Sequence, residues 1–96
     1  MRHNYIDVNG EILSKQWFDH CENFSYGFGV VALNRKYNYI DTNGKILAKQ
    51  WFDDCYEFNK HGFGRIKLGH QYYYVDKNEQ YYIVNQNTGD LMPITL

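Results

Sequence analysis

Residues Asn4 to Phe24 are restated 34 positions later, from Asn38 to Phe58, with fifteen identities. The shared residues are Asn, Tyr, Ile, Asp, Asn, Gly, Ile, Leu, Lys, Gln, Trp, Phe, Asp, Cys and Phe. After one insertion near His61 the offset becomes 35, and five more identities follow: Gly27/Gly62, Phe28/Phe63, Gly29/Gly64, Leu33/Leu68 and Tyr37/Tyr72. Self-similarity at such a period marks an array of units that cannot bury their apolar faces alone. The chain is therefore expected to form a single domain of stacked copies, spanning residues 4–37 and 38–72, closed by a degenerate capping copy over residues 73–96. That third copy opens with Tyr73-Tyr74-Val75-Asp76-Lys77-Asn78-Glu79 and never reaches a Trp-Phe-Asp.

The residue types inside a copy favour strands. Aromatic residues make up 19% of the chain, ten of them Tyr, beside eight Gly and a single Pro, which suits short strands joined by tight turns. Asp7-Val8-Asn9-Gly10 and Asp41-Thr42-Asn43-Gly44 place a side-chain acceptor where a type I turn wants one, and Gly where the following bulge needs positive φ. Each reads as a hairpin corner. Glu79 replaces that Gly in the third copy, which should strain the corner or change its type. Tyr37 to Asp41 reads as a strand before the corner, and Phe63-Gly64-Arg65-Ile66-Lys67-Leu68 alternates with period two before turning at Gly69-His70-Gln71. An all-β fold of antiparallel hairpins with about seven to nine strands is expected. The stretch from Trp51 to Phe58 is ambiguous, because Trp51, Cys55 and Phe58 also fall at helical spacing.

Four elements recur in order: Tyr37-Asn38-Tyr39-Ile40-Asp41, the Asn43-Gly44 turn, the Phe52-Asp53 pair, and Phe24-Ser25-Tyr26-Gly27-Phe28-Gly29-Val30. Their order and spacing over residues 4–78 resemble the bacterial WG-repeat family. The family's namesake Trp-Gly is here His3-Asn4, Tyr37-Asn38 and Tyr72-Tyr73. The resemblance implies an array of β-hairpins with a scaffold or binding role, and it carries no catalytic residue to transfer.

Ten Lys and Arg against eleven Asp and Glu leave a formal charge of -1. This balance offers no strong field to gather nucleic acid or an anionic membrane, so neither is expected as a partner. No apolar run reaches the roughly eighteen residues of a spanning helix. The opening Met1-Arg2-His3-Asn4 enters the first copy without an apolar leader. A soluble, cytoplasmic chain is expected, the alternative being a piece of a longer secreted array.

The candidate chemistry is sparse. His3, His20, His61 and His70 lie near Cys21, Asp19, Asp53 and Asp54 in sequence, but without Cys-x-x-Cys or His-x-x-x-His spacing, so no metal or other cofactor is expected. Cys21 and Cys55 hold equivalent positions. Copies related by translation across a sheet, with strands ~4.8 Å apart, would keep them beyond disulfide reach, giving two free and largely buried thiols. A two-fold relation would bring them together instead. Asp19 and Asp53 recur in both copies, whereas an active site is usually assembled once from unlike positions, so a structural role is expected and catalysis is not.

Two sets of residues remain as candidates for binding. Tyr37, Tyr39, Tyr72 and Tyr74 share one strand face; they either pack across strands or stack on sugars or bases. On the late strand, Val31 and Leu33 match Ile66 and Leu68 and should face the core. The opposite parity holds Phe28, Val30 and Ala32 in the first copy, but Phe63, Arg65 and Lys67 in the second. The first set asks for a cover, from the capping segment or from another molecule. The leading expectation is thus a non-enzymatic protein-binding module or small inhibitor-like scaffold. Phe28, Val30, Ala32 and nearby Tyr26 would face a protein partner or a second copy of the chain. One alternative is a carbohydrate or cell-surface binding repeat using Tyr37, Tyr39, Tyr72 and Tyr74; another is a structural fragment of a longer array.

Overall fold

Three corners of one chemistry set the frame of the computed structural model, which describes residues 2–96. At Asp7, Asp41 and Asp76, Oδ1 accepts from the backbone N–H groups two and four residues on, at 2.8 to 3.0 Å. Such side-chain acceptors hold a turn whose own amides would otherwise lack partners. Gly10 and Gly44 close the first two corners at φ 79° and 82°. The third corner keeps the same type, with Glu79 forced to φ 61°. Its carboxylate offsets that strain by accepting from Lys49 N at 3.0 Å and Tyr81 Oη at 2.9 Å.

Eight strands surround these corners: β1 (His20–Cys21), β2 (Phe28–Leu33), β3 (Lys36–Asp41), β4 (Asp54–Cys55), β5 (Gly64–Leu68), β6 (Gln71–Val75), β7 (Tyr81–Val84) and β8 (Leu91–Ile94). They form two antiparallel sheets, ordered β1-β2-β3 and β4-β5-β6-β7-β8. The described residues contain no helix; the ambiguous Trp51 to Phe58 stretch holds β4 and a bridge from Phe52 to Tyr37. In both copies the late strand and the opening strand of the following copy make a tight hairpin. Asn34 and Arg35, both at positive φ, turn β2 into β3. Gly69, at φ 62°, starts the turn from β5 to β6.

Each copy's first strand thus belongs to the sheet of the copy before it. The consequence is a translational array, extended to 48 × 25 × 18 Å. Phe18, Val31 and Ile40 make one buried cluster, and their equivalents Phe52, Ile66 and Val75 fall in the next. Val31 and Ile66 are core residues, as their parity requires. Tyr5 lies over Gly29, and Tyr39 over Gly64 in the same way. A Cβ on Gly64 would stand 2.6 Å from Tyr39 Cζ and 2.9 Å from Phe58 Cε1. Glycine is therefore required there by close approach. Tyr39 Oη donates to the carbonyls of Tyr56 and Arg65 at 2.5 and 3.2 Å, so the buried phenol carries its hydroxyl without an orphaned proton.

Asn4 and Asn38, which carry no local signal of a special role, each clamp the loop of their own copy. Asn38 is completely buried. Its Nδ2 donates to the carbonyls of Ala48 (3.0 Å) and Gln50 (3.5 Å), while Oδ1 accepts from Tyr39 N (2.8 Å) and Ala48 N (3.1 Å). Asn4 repeats the pattern with Ser14, Gln16 and Tyr5. Tyr73 stands at this position in the third copy and offers no such amide. There the chain runs on into the β7–β8 hairpin.

Asp19 and Asp53 sit at hairpin turns. Asp19 accepts from Asn34 N at 2.8 Å; Asp53 accepts from Gly69 N at 2.6 Å and from Lys36 Nζ. These bonds hold the Asp53 carboxyl below its usual range, led by the Lys36 ammonium and then the Gly69 amide. Both cysteines are free. Cys55 Sγ donates to Asn38 O at 3.5 Å, and burial pushes the Cys55 thiol well above its ordinary value.

Candidate functional site

The same strand face has opposite fates in the two copies. On β2, Phe28, Val30 and Ala32 point toward the second copy. Val30 is 1% exposed and Ala32 6%, and the Phe28 ring stacks on Phe58 with centroids 4.2 Å apart. The expected cover was the capping segment or another molecule; the cover found is the second copy of the same chain. The reason is that Val30 joins the core built on Tyr39, Phe52, Phe58 and Ile66. Phe28, Val30 and Ala32 thus form a joint between copies, reinforced by Ser25 Oγ donating to Phe58 O at 3.0 Å and by reciprocal backbone bonds between Tyr37 and Phe52 at 2.8 Å. Tyr26 is the one member of that predicted patch left outside, 66% exposed in a turn at φ 49°.

The second copy turns the equivalent face outward. Arg65 stands where Val30 stood, Lys67 where Ala32 stood, and both pair in register with Tyr74 and Tyr72 of β6. The Arg65 guanidinium lies 4.1 Å from the Tyr72 ring centroid and 5.3 Å from that of Tyr56; Lys67 Nζ lies 5.8 Å from Tyr72. Each long side chain rests on an aromatic face while its charged head stays in water. Beyond Tyr74 the cap contributes Tyr82, paired opposite Tyr74. Its ring meets Phe63 edge-on at 5.3 Å, and its hydroxyl donates to Asp76 at 2.8 Å.

Two grooves flank Tyr74. One is lined by Asn59, His61, Phe63, Val84 and Leu91, the other by Arg65, His70, Gln71, Tyr72, Ile83 and Val84. They exist because β6 and β7 are registered only at Tyr74↔Tyr82 and Val75↔Tyr81. Tyr72 is 40% exposed and Tyr56 42%, so the face presents ring edges, hydroxyls and two cations together. Tyr and Arg are among the side chains enriched at protein contact surfaces, because aromatic rings and guanidinium groups give much contact area for little ordering cost, whereas Lys is not.

A larger cleft lies elsewhere, lined by Phe28, Lys45, Leu47, Lys49, Lys77 and Glu79. It is a wedge between the second and third corners. At the matching place one copy earlier, Gly44 packs so closely on Leu13 O that any Cβ would collide with it. Glu79 cannot approach Leu47 in that way, which opens the wedge. Its walls mix Lys45, Lys49 and Lys77 with Asp41 and Glu79, a pattern that selects no ligand charge.

The four tyrosines of the stacking set divide. Tyr39 is wholly buried and Tyr37 packs against the same core, whereas Tyr72 and Tyr74 remain accessible in the outward face. Tyr37 and Tyr39 therefore serve as cross-strand packing. Sequence reasoning did not select Tyr56, Arg65 and Lys67 as a site. The available signal was the replacement of Val30 and Ala32 by Arg65 and Lys67 at matched positions. Among the described residues, no three His, Cys, Asp or Glu side chains converge as a metal cluster.

Comparison with known proteins gives one family: the model of the WG containing repeat matches residues 5–37 and 39–72. No curated protein and no solved structure matches the chain.

Proposed function

The chain belongs to the family of WG-containing repeats, and from that premise we propose that it is a non-enzymatic protein-binding module whose contact surface is the outward face of the second copy. The observation that carries this reading is the contrast at one strand parity. Where the first copy needs a joint it has Phe28, Val30 and Ala32, and where the second copy meets solvent it has Arg65 and Lys67 laid on Tyr56 and Tyr72. The Asp54 carboxylate stands in register opposite Lys67, so Arg65, laid on Tyr56 and Tyr72, is the cation that favours a carboxylate on the partner, with the grooves beside Tyr74 taking apolar side chains.

A sugar-binding reading is less well supported. It loses Tyr37 and Tyr39 to the core, and the Arg65 guanidinium occupies the ring face of Tyr72 on which a sugar would stack.

Selection of ligands from a random peptide library against the folded chain tests the proposal. Selected peptides should be rich in Asp and Glu, and should lose at least about tenfold in affinity against Arg65→Glu, about 1.4 kcal/mol or more. Tyr26→Ala should leave them unaffected. Peptides without an acidic bias, or binding unchanged on both Arg65→Glu and Tyr72→Ala, would remove this face as the contact surface.

A further inference from the structure

We propose that the outer edge of residues 2–7 is a second docking site, one that takes an extended, mainly apolar segment of another polypeptide chain as an added antiparallel strand. This goes beyond the outward face of the second copy and does not depend on it. The argument comes from the molecule's own internal precedent. Residues 2–7 are the counterpart, 34 positions earlier, of β3. β3 is paired on both sides: with β2 along six registered positions, and with the second copy through Tyr37–Phe52 and Ile40–Ile46. The counterpart makes only the second kind of pairing, through His3–Phe18 and Ile6–Ile12.

The hydrogen-bonding groups are already sorted. His3 N–H and C=O bond Phe18, Tyr5 C=O accepts from Leu13 N, and Asp7 N–H donates to Glu11 O, all toward the chain's own body. By strand alternation the N–H and C=O of Asn4 and Ile6 point the other way. Among the described residues these four groups have no backbone partner. Their equivalents on Asn38 and Ile40 lie opposite Val31 and Gly29.

Side chains agree with the backbone. Ile40 is completely buried beneath the β2 side of its sheet, while Ile6 is 71% exposed. Ile12 and Trp17 are exposed as well, whereas Ile46 and Trp51 are packed into a core. An incoming strand with the alternation of β2 would cover Tyr5 and Phe24 with one face, as Phe28 and Val30 cover Tyr39 and Phe58. Its other face would shield Ile6.

The free edge also lacks the usual blocks to pairing. It holds no Pro and no Lys, and its one cation, Arg2, is turned back onto Trp17 O at 3.2 Å. At the other end of the molecule the edge strand β8 contains Pro93, which has no N–H to offer a neighbour. A second copy of this chain is a poor occupant: its β2 and β5 are each paired on both edges, its edge strand β8 carries Pro93, and its own residues 2–7 hold only Tyr5 and Ile6 as apolar side chains. Addition of an extended segment to an open edge is an established recognition mode, in which main-chain bonds supply affinity and alternate side chains supply specificity.

The test uses the full chain and a synthetic peptide carrying Phe28-Gly29-Val30-Val31-Ala32-Leu33 between solubilising lysines. A second peptide carries N-methyl groups at the Gly29 and Val31 positions. The first should slow amide exchange at Asn4 and Ile6 by about tenfold or more, with Asn38 and Ile40 unchanged, and the N-methylated peptide should not. Tyr72→Ala should leave this response intact, which separates it from the face of the second copy. Exchange at Asn4 and Ile6 that ignores the first peptide, or responds equally to both, overturns the proposal. So does concentration-dependent protection of these amides in the chain alone, which would make a second copy the occupant.

Discussion

Val30 and Arg65 occupy one position in two copies of one motif, and they do opposite work. Val30 is sealed under the second copy, while Arg65 lies on two tyrosines in solvent. The backbone around them is alike: each strand pairs with a two-residue strand on one side and with a longer one across a tight turn on the other. Neighbourhood, not local conformation, separates them. In an array each unit's face is finished by the next, so a residue's role depends on whether a next unit covers it. Positions conserved between the copies build the unit; positions that differ report which face is a joint and which is a surface.

That contrast can be broken most severely at the joint. Phe58→Ala removes the ring on which Phe28 stacks and against which Tyr39 packs edge-on at 4.7 Å. A loss of about 3–5 kcal/mol in unfolding free energy is expected, read from the denaturant midpoint. A loss below about 1 kcal/mol would mean that the copies are not joined through this ring.

Matched tyrosines sharpen the comparison. Tyr39→Phe takes the donor from the Tyr56 carbonyl, while the Arg65 carbonyl keeps the Tyr56 N–H at 2.9 Å, and a cost of about 1–3 kcal/mol is expected. Tyr74→Phe, on the outward face, should stay within about 0.5 kcal/mol. Equal effects would erase the distinction between an inner and an outer ring.

The joint should also weaken in alkali. Burial raises the Cys55 thiol above its ordinary 9.0 and the Tyr39 phenol above its ordinary 10.0. For a group whose folded pKa is raised, the folded state holds a proton that the unfolded chain has released. Stability is therefore full below pH 9.0 and falls as the pH rises, by up to about 1.4 kcal/mol per pH unit for each such group. Thermal melts from pH 7 to 11 check this, with Cys55→Ala expected to flatten the first part of the decline. A midpoint that holds or rises from pH 9 to 11 would contradict it.

Much of the fold was legible because the repeat constrains it twice. The corners at Asp7 and Asp41, the core parity of Val31 and Ile66, the free thiols and the hairpin turns could all be read from residue type and spacing. Other features depend on what lies beyond a single copy. The cover over Val30 was not legible, since strand parity says that a face is buried without saying by what. Asn38 was unremarkable in the sequence, because nothing local shows that its amide will meet the Ala48 and Gln50 carbonyls ten and twelve residues on. Glu79 was expected to strain or change its corner; it is strained, at φ 61°, and keeps the type, because its carboxylate gains Lys49 and Tyr81 as partners. Of the outward face, Tyr72 and Tyr74 were named from sequence. Tyr56 and Arg65 required the geometry that lays a guanidinium between two rings.

The most direct test places one charge at the two matched positions. Val30→Asp buries an unpaired carboxylate in the joint and should cost at least about 3 kcal/mol or unfold the chain, whereas Arg65→Asp should change stability by less than about 1 kcal/mol. Equal losses from the two substitutions, or a larger loss from Arg65→Asp, would contradict the assignment of one position to a joint and the other to a surface.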